Sequence, residues 1–438
     1  MPFYKNFKWI SLLLVLTTPL FVRGQARGFG DNDAVEQHLG FPEDWSSHHL
    51  VMAGDSAEQA IAAGVREPRH VYNMVMRRNA IQLAKHPLAN SRPVKLDWAV
   101  SLENGFVPPH QYPAKYRFSL STQNCNADFV LFALSVTTGT QANIVGINNL
   151  YTEATPKCNS GTPWVAFAYN ALTNNGNILT SPTLSADGTK VAFIESTNNQ
   201  FFFHVLVLPN PIPSPPTQVG TVRSPQTPTS CTSPTIPGCM TSVRVVNNST
   251  NSNSSIWIDY ASDTGYVGAD NGKLYKIKPV FKGGAPTVVS DANWPVTVST
   301  ETNKILTDPI IDTFANRIFI GDGFGYLYSV NLAAPGGGTV GRAEVGWTGH
   351  GSGTGIVDPP IVVFDPASPA VDQVFAYTGC SDKPGVGAAM AQIKANFSGQ
   401  IDYNSYTTVD LGSASGIGDC TTGNAHGESR LMVGRRQN

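Results

Sequence analysis

Two adjacent imidazoles, His48 and His49, follow Trp45 in the stretch FPEDWSSHHLV. Imidazole nitrogen suits Zn and Cu, so the pair has the donor type of a metal site. No carboxylate or third histidine stands at a diagnostic spacing, and an ordinary polar surface is the simpler reading. Asp259, Asp312 and Asp365 recur at matching places in successive segments, and recurring carboxylates are the raw material of acid–base chemistry. A turn or cap aspartate that recurs because its surroundings recur explains them more simply. Gly349-His350-Gly351-Ser352-Gly353 approaches a serine nucleophile elbow, but that motif needs the serine at the centre of G-x-S-x-G. The glycine-rich run 336–353 lacks the Lys-Ser/Thr ending of a phosphate loop. His204, inside FFFHV, reads as a hydrogen-bonded strand residue. No residue is assigned a catalytic, cofactor-binding or metal-binding role from sequence, and no cofactor is expected.

The elements that would position these groups are written in repeats. YVGADNGKLYKI at 266–277 and FIGDGFGYLYSV at 319–330 are the same phrase, 53 residues apart: an apolar run, a glycine turn and a second apolar run. Self-similarity at this spacing signals a repeat architecture. Tyr275 and Ile277 match Tyr328 and Val330, so both copies turn the same face inward. Gly272 and Gly325 are expected to supply the positive φ of a short hairpin turn. A second phrase opens each unit. Ser181-Pro182-Thr183 aligns with Asp308-Pro309-Ile310 and Asp358-Pro359-Pro360, and Ser255-Ile256-Trp257 fits without the proline; the starts are 74, 53 and 50 residues apart. Proline can open a strand, where the ladder does not need its missing N–H. The longest interval holds an insertion over 209–254, rich in Pro, Ser, Thr and Asn, which reads as exposed loop. Ala127–Val136, Ala142–Tyr151 and Pro163–Tyr169 read as earlier strands.

Of 438 residues only 14 % are charged, with 41 Gly and 31 Pro, which suits a loop-rich β protein. The formal charge of −2 gives no pull toward nucleic acid or anionic membrane. Lys5 and Lys8 precede an apolar stretch, Ile10–Val22, and Gly24-Gln25-Ala26 supplies a cleavage site, so residues 1–26 are expected to be a signal peptide. Export brings an oxidising compartment, and six cysteines allow 15 complete pairings. Neighbour pairing is simplest: Cys125–Cys158, Cys231–Cys239 and Cys380–Cys420. Ser56-x-x-Gln59 and Pro68 predict two helices ending near His86, within a helical N-terminal extension over 27–95.

VGADNGKLYKI resembles the repeat of quinoprotein-type β-propellers, and SPTLSADGTKVAFIES (181–196) is similar to TolB-like bacterial propeller repeats. The resemblance covers about residues 180–380. It implies an all-β fold, a propeller of about six to seven four-stranded blades over 96–425. The irregular tail over 426–438 has no blade grammar, which leaves three readings: an early strand closes the ring, the ring is incomplete, or the chain is a fragment or frameshifted product; a partly missing last blade is the one expected. The quinoprotein dehydrogenases of this group would imply pyrroloquinoline quinone and calcium. They hold the quinone beside an adjacent Cys-Cys disulfide, and no two cysteines adjoin in this chain.

The expected function is an exported, non-catalytic propeller scaffold, monomeric and secreted, periplasmic or cell-surface, that recognises an extracellular protein or glycan through loops on one face. A propeller enzyme, either quinoprotein-type or a hydrolase or lyase, is the alternative, and a structural or adhesive surface protein is a third. The enzyme requires at least two carboxylate or histidine groups converging in a central funnel. The recognition scaffold requires exposed aromatic side chains on one loop face, and the adhesive protein requires surface attachment.

Overall fold

The computed structural model describes residues 42–52 and, with breaks at loops, 99–412; the longest breaks are 117–123, 152–162 and 213–224. The signal peptide, the helices expected between Ser56 and His86, Gly349–Gly353 and the tail lie outside the described residues.

Five antiparallel sheets follow one another along the chain, and together they form a β-propeller. The first is built from Ala114–Tyr116, Phe129–Ala133, Ile144–Asn148 and Trp164–Tyr169, paired in that order. The second runs Thr183–Leu184, Lys190–Ser196, Phe201–Val207 and Cys239–Val246. The third starts with Trp257–Asp259, Thr264–Gly268 and Lys273–Lys278, the last pairing with two short strands, Thr287–Val288 and Val296–Thr297. The fourth is Ile310–Asp312, Arg317–Gly321, Tyr326–Asn331 and Gly341–Glu344. The fifth is Ile361–Phe364, Gln373–Thr378, Ala388–Lys394 and Thr407–Gly412. Each meander therefore has the hairpin connectivity that the repeated phrases encode.

Three expectations differ from what the described residues show. The described residues hold five sheets rather than six to seven, because the first repeats are long. From Tyr112 to Ser181 is 69 residues and from Ser181 to Ser255 is 74, against the ~40–50 of an ordinary blade. Nor is the last sheet short of a strand, since its fourth strand runs to Gly412. The helical extension is also not what the described residues show. Residues 42–52, placed within it by sequence, form two strands around a single 3-10 turn, Trp45–His48. Pro42–Glu43 pairs antiparallel with Ala114–Tyr116 of the first sheet, and Leu50–Met52 pairs parallel with Ile361–Phe364 of the fifth. This short strap joins the first and last sheets, so the ring closes through main-chain bonds between segments about 300 residues apart in sequence.

The sheets pack face to face through buried apolar clusters. Leu131, Phe167, Phe193 and Leu206 join the first sheet to the second, and Ile194, Phe203, Val267 and Ile277 join the second to the third. A larger cluster spans the third, fourth and fifth sheets and takes in Trp45 and Leu50 of the strap. No described helix is long and apolar enough to cross a membrane.

The turn glycines take the conformation the repeat demands. Gly272 has φ 76° and Gly325 has φ 113°. A Cβ at Gly272 would lie 2.1 Å from the Ser299 carbonyl oxygen, so the site forbids a side chain on steric as well as torsional grounds. Gly272→Ala is expected to lower stability by at least about 2 kcal/mol, measured as a shift in the urea midpoint with an unchanged slope.

Candidate site at the mouth of the central funnel

The residues just ahead of each sheet's first strand meet at one end of the ring. Pro109, His110 and Tyr112 come from the first sheet, Leu179 from the second, Asn253 and Ser255 from the third, Asn303 to Asp308 from the fourth, and Ile356 to Pro359 from the fifth. They surround a cavity of about 330 Å³. Contributions from all five sheets mark it as the funnel on the propeller axis.

The blade-opening positions do more than start strands. The Tyr112 N–H donates to Ser181 Oγ at 2.9 Å, and the Ser181 N–H donates to Ser255 Oγ at 2.9 Å. The Ser255 N–H in turn donates to Asp308 Oδ1. Ser181, Ser255 and Asp308 thus each accept from the backbone of the preceding sheet's opening residue, and the bonds form a girdle that links the first four sheets. His110 Nδ1 lies 3.8 Å from Asp358 Oδ1, which brings the fifth sheet against the first. Sequence alignment located Ser181, Ser255, Asp308 and Asp358 but missed the fifth member. Tyr112-Pro113 stands two residues ahead of its strand and shares the X-Pro signature, with tyrosine where the other openers have Ser or Asp.

Burial pushes the Asp308 carboxyl up to about 7, against the pull of the Ser255 N–H, and the Asp358 charge adds to the rise. Asp308 is 8 % exposed. The buried floor of the funnel is therefore a carboxyl poised near neutrality, with the partly exposed Asp358 carboxylate, His110 imidazole and Asn253 and Asn303 amides also on the cavity wall. The rim is apolar. Tyr112, Leu179, Ile305 and Val357, all on the cavity wall, are large apolar side chains that remain exposed. A polar, partly anionic floor under such a rim suits a ligand that carries donors or positive charge on a body with apolar faces.

The raised Asp308 carboxyl has a consequence for stability. Between about pH 4 and pH 7 the folded chain holds a proton on Asp308 that the unfolded chain has released, so stability falls as pH rises through this window. Asp308→Asn keeps an acceptor for the Ser255 N–H and removes the titration. We expect it to flatten that slope and to raise stability at pH 7 by a few kcal/mol, read from urea melts at pH 4.5 and 7.5.

The other sequence candidates lie elsewhere. Asp259 Oδ1 accepts from the Ala261 and Ser262 N–H groups, and Asp312 Oδ1 accepts from those of Phe314 and Ala315. Both cap turns, as their repetition suggested. Asp365 donates its N–H to Asp372 Oδ1 at 2.7 Å. His48 and His49 do not converge. His48 is exposed, with Nε2 3.7 Å from Glu43 Oε1, whereas burial, followed by the neighbouring His48, drives His49 down to about 3. No group of three metal-ligating side chains occurs among the described residues. Cys231 and Cys239 are bonded to each other. Cys125 and Cys380 are also disulfide-bonded, with partners outside the described residues. His204 is fully buried in the second sheet with both ring nitrogens bonded.

No family model matches the chain, and no curated protein matches it. Among solved structures it is similar to BamB from Moraxella catarrhalis, at 9 % identity and a TM-score of 0.32, over 71 % of this chain and 63 % of that one. It is also similar to the quinohemoprotein alcohol dehydrogenase ADHIIG from Pseudomonas putida HK5, at 12 % identity and a TM-score of 0.31, over 54 % and 34 % of the two chains. A chain of a nidogen/laminin complex matches at 9 % identity and a TM-score of 0.28, over 61 % and 72 %. The chain thus spans slightly less than two thirds of the BamB structure it matches.

Proposed function

We propose that the chain is an exported β-propeller recognition scaffold whose funnel mouth binds, without turnover, a protein segment or glycan in the extracytoplasmic space. One observation carries this reading. All five sheets deliver side chains to a single cavity in which exposed Tyr112, Leu179, Ile305 and Val357 surround Asp308, Asp358, His110, Asn253 and Asn303. Aromatic and aliphatic faces beside amide and carboxylate acceptors provide both the apolar contact and the hydrogen bonds such ligands require. The paired cysteines and the N-terminal apolar segment support an oxidising destination.

The test is a glycan and peptide array probed with the mature chain, with hydrogen exchange to map any ligand found. Protection should fall on 109–112, 303–308 and 355–359, and Tyr112→Ala or Asp358→Asn should weaken binding at least tenfold. Protection confined to the outer strands would overturn the reading. Sequencing the N-terminus of protein recovered outside the cytoplasm should show cleavage after Ala26.

The funnel floor also favours one second reading. A carboxyl held near 7 beside another carboxylate and an imidazole is an acid–base grouping of the kind a hydrolase or lyase uses. Asp308→Asn separates the two. Under the binding role a neutral acceptor at 308 keeps most of the affinity, whereas an enzyme would keep its affinity and lose its turnover.

A further inference from the structure

Away from the axis, three side chains cross the second sheet in a line. Ser242 Oγ lies 2.7 Å from His204 Nδ1, and His204 Nε2 lies 3.0 Å from Glu195 Oε2. They stand on three neighbouring strands, Cys239–Val246, Phe201–Val207 and Lys190–Ser196, and the ladder register places them. Ser242 is directly opposite His204, and His204 is opposite Phe193, whose ring stacks on the imidazole at 5.0 Å between centroids. Glu195 and His204 are fully buried, while Ser242 is exposed.

Glu195 is held by donors on every side. Its Oε1 accepts from the Asn174 and Gly176 N–H groups at 2.8 and 3.0 Å, and its Oε2 accepts from the Thr173 N–H at 3.1 Å as well as from His204. Burial alone would raise this carboxyl, but the bond from His204 and those from the Gly176 and Thr173 backbone overcome it and hold the group down at about 2. A fixed carboxylate at Nε2 selects the tautomer that carries its proton there. Nδ1 is then the free base, and it faces the Ser242 hydroxyl.

The ladder also orients the serine's own amide. The Thr197 N–H donates to Gln200 O at 2.9 Å and the Leu208 N–H to Thr189 O at 2.8 Å. Even-numbered residues of Phe201–Val207 therefore direct their N–H groups toward Lys190–Ser196, and the odd-numbered ones face Cys239–Val246. His204 and Ser242 thus form a pair without mutual ladder bonds. Such a pair brings its side chains closest and turns the Ser242 N–H outward to the sheet edge. The short parallel strand Thr229–Ser230 covers that edge only at Cys239 and Met240. Exposed Arg244 follows on the same face, roughly 7 Å further along.

We propose that Ser242 is the nucleophile of an acyl-transfer site, with His204 as its general base and Glu195 as the positioning residue, acting on small carboxylic esters. Ser242 Oγ attacks the ester carbonyl carbon while its proton passes to His204 Nδ1. The oxyanion forms beside the Ser242 N–H and within the field of Arg244. As the C–O bond to the alcohol breaks, the alcohol oxygen takes the proton from Nδ1. Water then attacks the acyl-serine, losing one proton to His204, which returns it to Ser242 as the acid leaves. The sum is ester plus water to acid plus alcohol. The site is independent of the funnel: one lies on the axis, the other on the last antiparallel strand of the second sheet, and neither proposal needs the other.

The test uses the full chain with a fluorophosphonate probe, peptide mapping of the adduct and p-nitrophenyl acetate turnover. The expected adduct is on Ser242 and absent in Ser242→Ala, whose native fold is checked by circular dichroism because the substitution also removes the partner of His204 Nδ1. His204→Asn should slow labelling by about 10²-fold or more and abolish the pH dependence of its rate. Glu195→Gln should shift the midpoint of that pH profile downward, because a neutral amide no longer stabilises an imidazolium; a merely structural role would move only the melting temperature. If either buried-site variant fails to fold, the wild-type and Ser242→Ala pair still decides. Labelling of Ser242 no faster than that of other exposed serines overturns the proposal, and so does turnover that survives Ser242→Ala.

Discussion

Trp45→Ala is expected to destabilise the chain by about 3–5 kcal/mol, the cost of removing a fully enclosed indole and leaving a cavity that its surroundings only partly refill. Trp45 has no exposed surface and packs into the cluster that unites the third, fourth and fifth sheets. It also begins the turn that joins the two strap strands, one on the first sheet and the other on the fifth. Asp44 sets that turn by accepting from the Ser46 N–H at 3.1 Å and the Ser46 hydroxyl at 2.6 Å. Two readouts separate strap opening from general softening. Hydrogen exchange should rise first in Ala114–Tyr116 and Ile361–Phe364, the strands that lose a partner, and His48→Ala, on the exposed side of the same turn, should cost less than about 0.5 kcal/mol. A Trp45→Ala chain within 1 kcal/mol of the wild type would show that the ring closes without the strap.

The strap should also be sensitive to acid. His49 is half-buried beside Trp45, with ring centroids 5.7 Å apart and its Nδ1 buried, and desolvation holds it neutral down to about pH 3. An unfolded histidine takes up its proton near pH 6.5. The unfolded state therefore binds the extra proton between these values, and the strap's contribution is lost as pH falls from about 6.5 toward 3. His49→Leu should remove that part of the pH dependence, measured by the exchange of Val362, whose N–H donates to His49 O at 2.8 Å.

Local features of the fold were legible and distant ones were not. Gly272 and Gly325 announce positive φ because a two-strand turn constrains only its own few residues. Three of the five blade openers are visible as Ser-Pro or Asp-Pro ahead of apolar runs, and Ser255 fits the same frame without the proline. Their convergence was not visible, because intervals of 50 to 74 residues say nothing of where the axis lies. Asp308 and Asp358 thus read only as strand openers, although the ring brings them into one cavity with His110. The strap was hidden for the same reason. FPEDWSSHHLV has the composition of a polar surface, and only pairing with strands far along the chain reveals Trp45 as core. His204 was correctly read as a hydrogen-bonded strand residue. Its partners, however, lie 9 and 38 residues away, and only the ladder register shows that they are a carboxylate and an exposed hydroxyl.

Glu195 is the second position at which a single change should be severe. Glu195→Ala is expected to cost about 3–5 kcal/mol, the penalty for removing a buried carboxylate that accepts hydrogen bonds on both oxygens. The loss exceeds that of an average buried side chain because Glu195 is the common acceptor for two regions of the molecule. On one side it bonds the Thr173, Asn174 and Gly176 backbone, which follows the last strand of the first sheet; on the other it fixes His204 within the second sheet. Removal leaves three backbone donors and a ring nitrogen without their acceptor; the Gly176 N–H and the His204 nitrogen are buried and worth about 1–3 kcal/mol each, while the Thr173 and Asn174 N–H groups lie nearer solvent. Water entering the vacated space would recover part of that sum, which keeps the net near the stated range. Glu195→Leu should be no better, since a matching apolar volume fills the space and accepts nothing. Pairing either variant with His204→Phe tests the argument. If Glu195 stabilises the fold partly by satisfying His204, the double variant should cost less than the sum of the two single ones by at least about 1 kcal/mol. Additive losses would mean that the carboxylate serves the 173–176 turn alone. The acyl-transfer proposal would then lose its positioning residue while the girdle and funnel stayed intact.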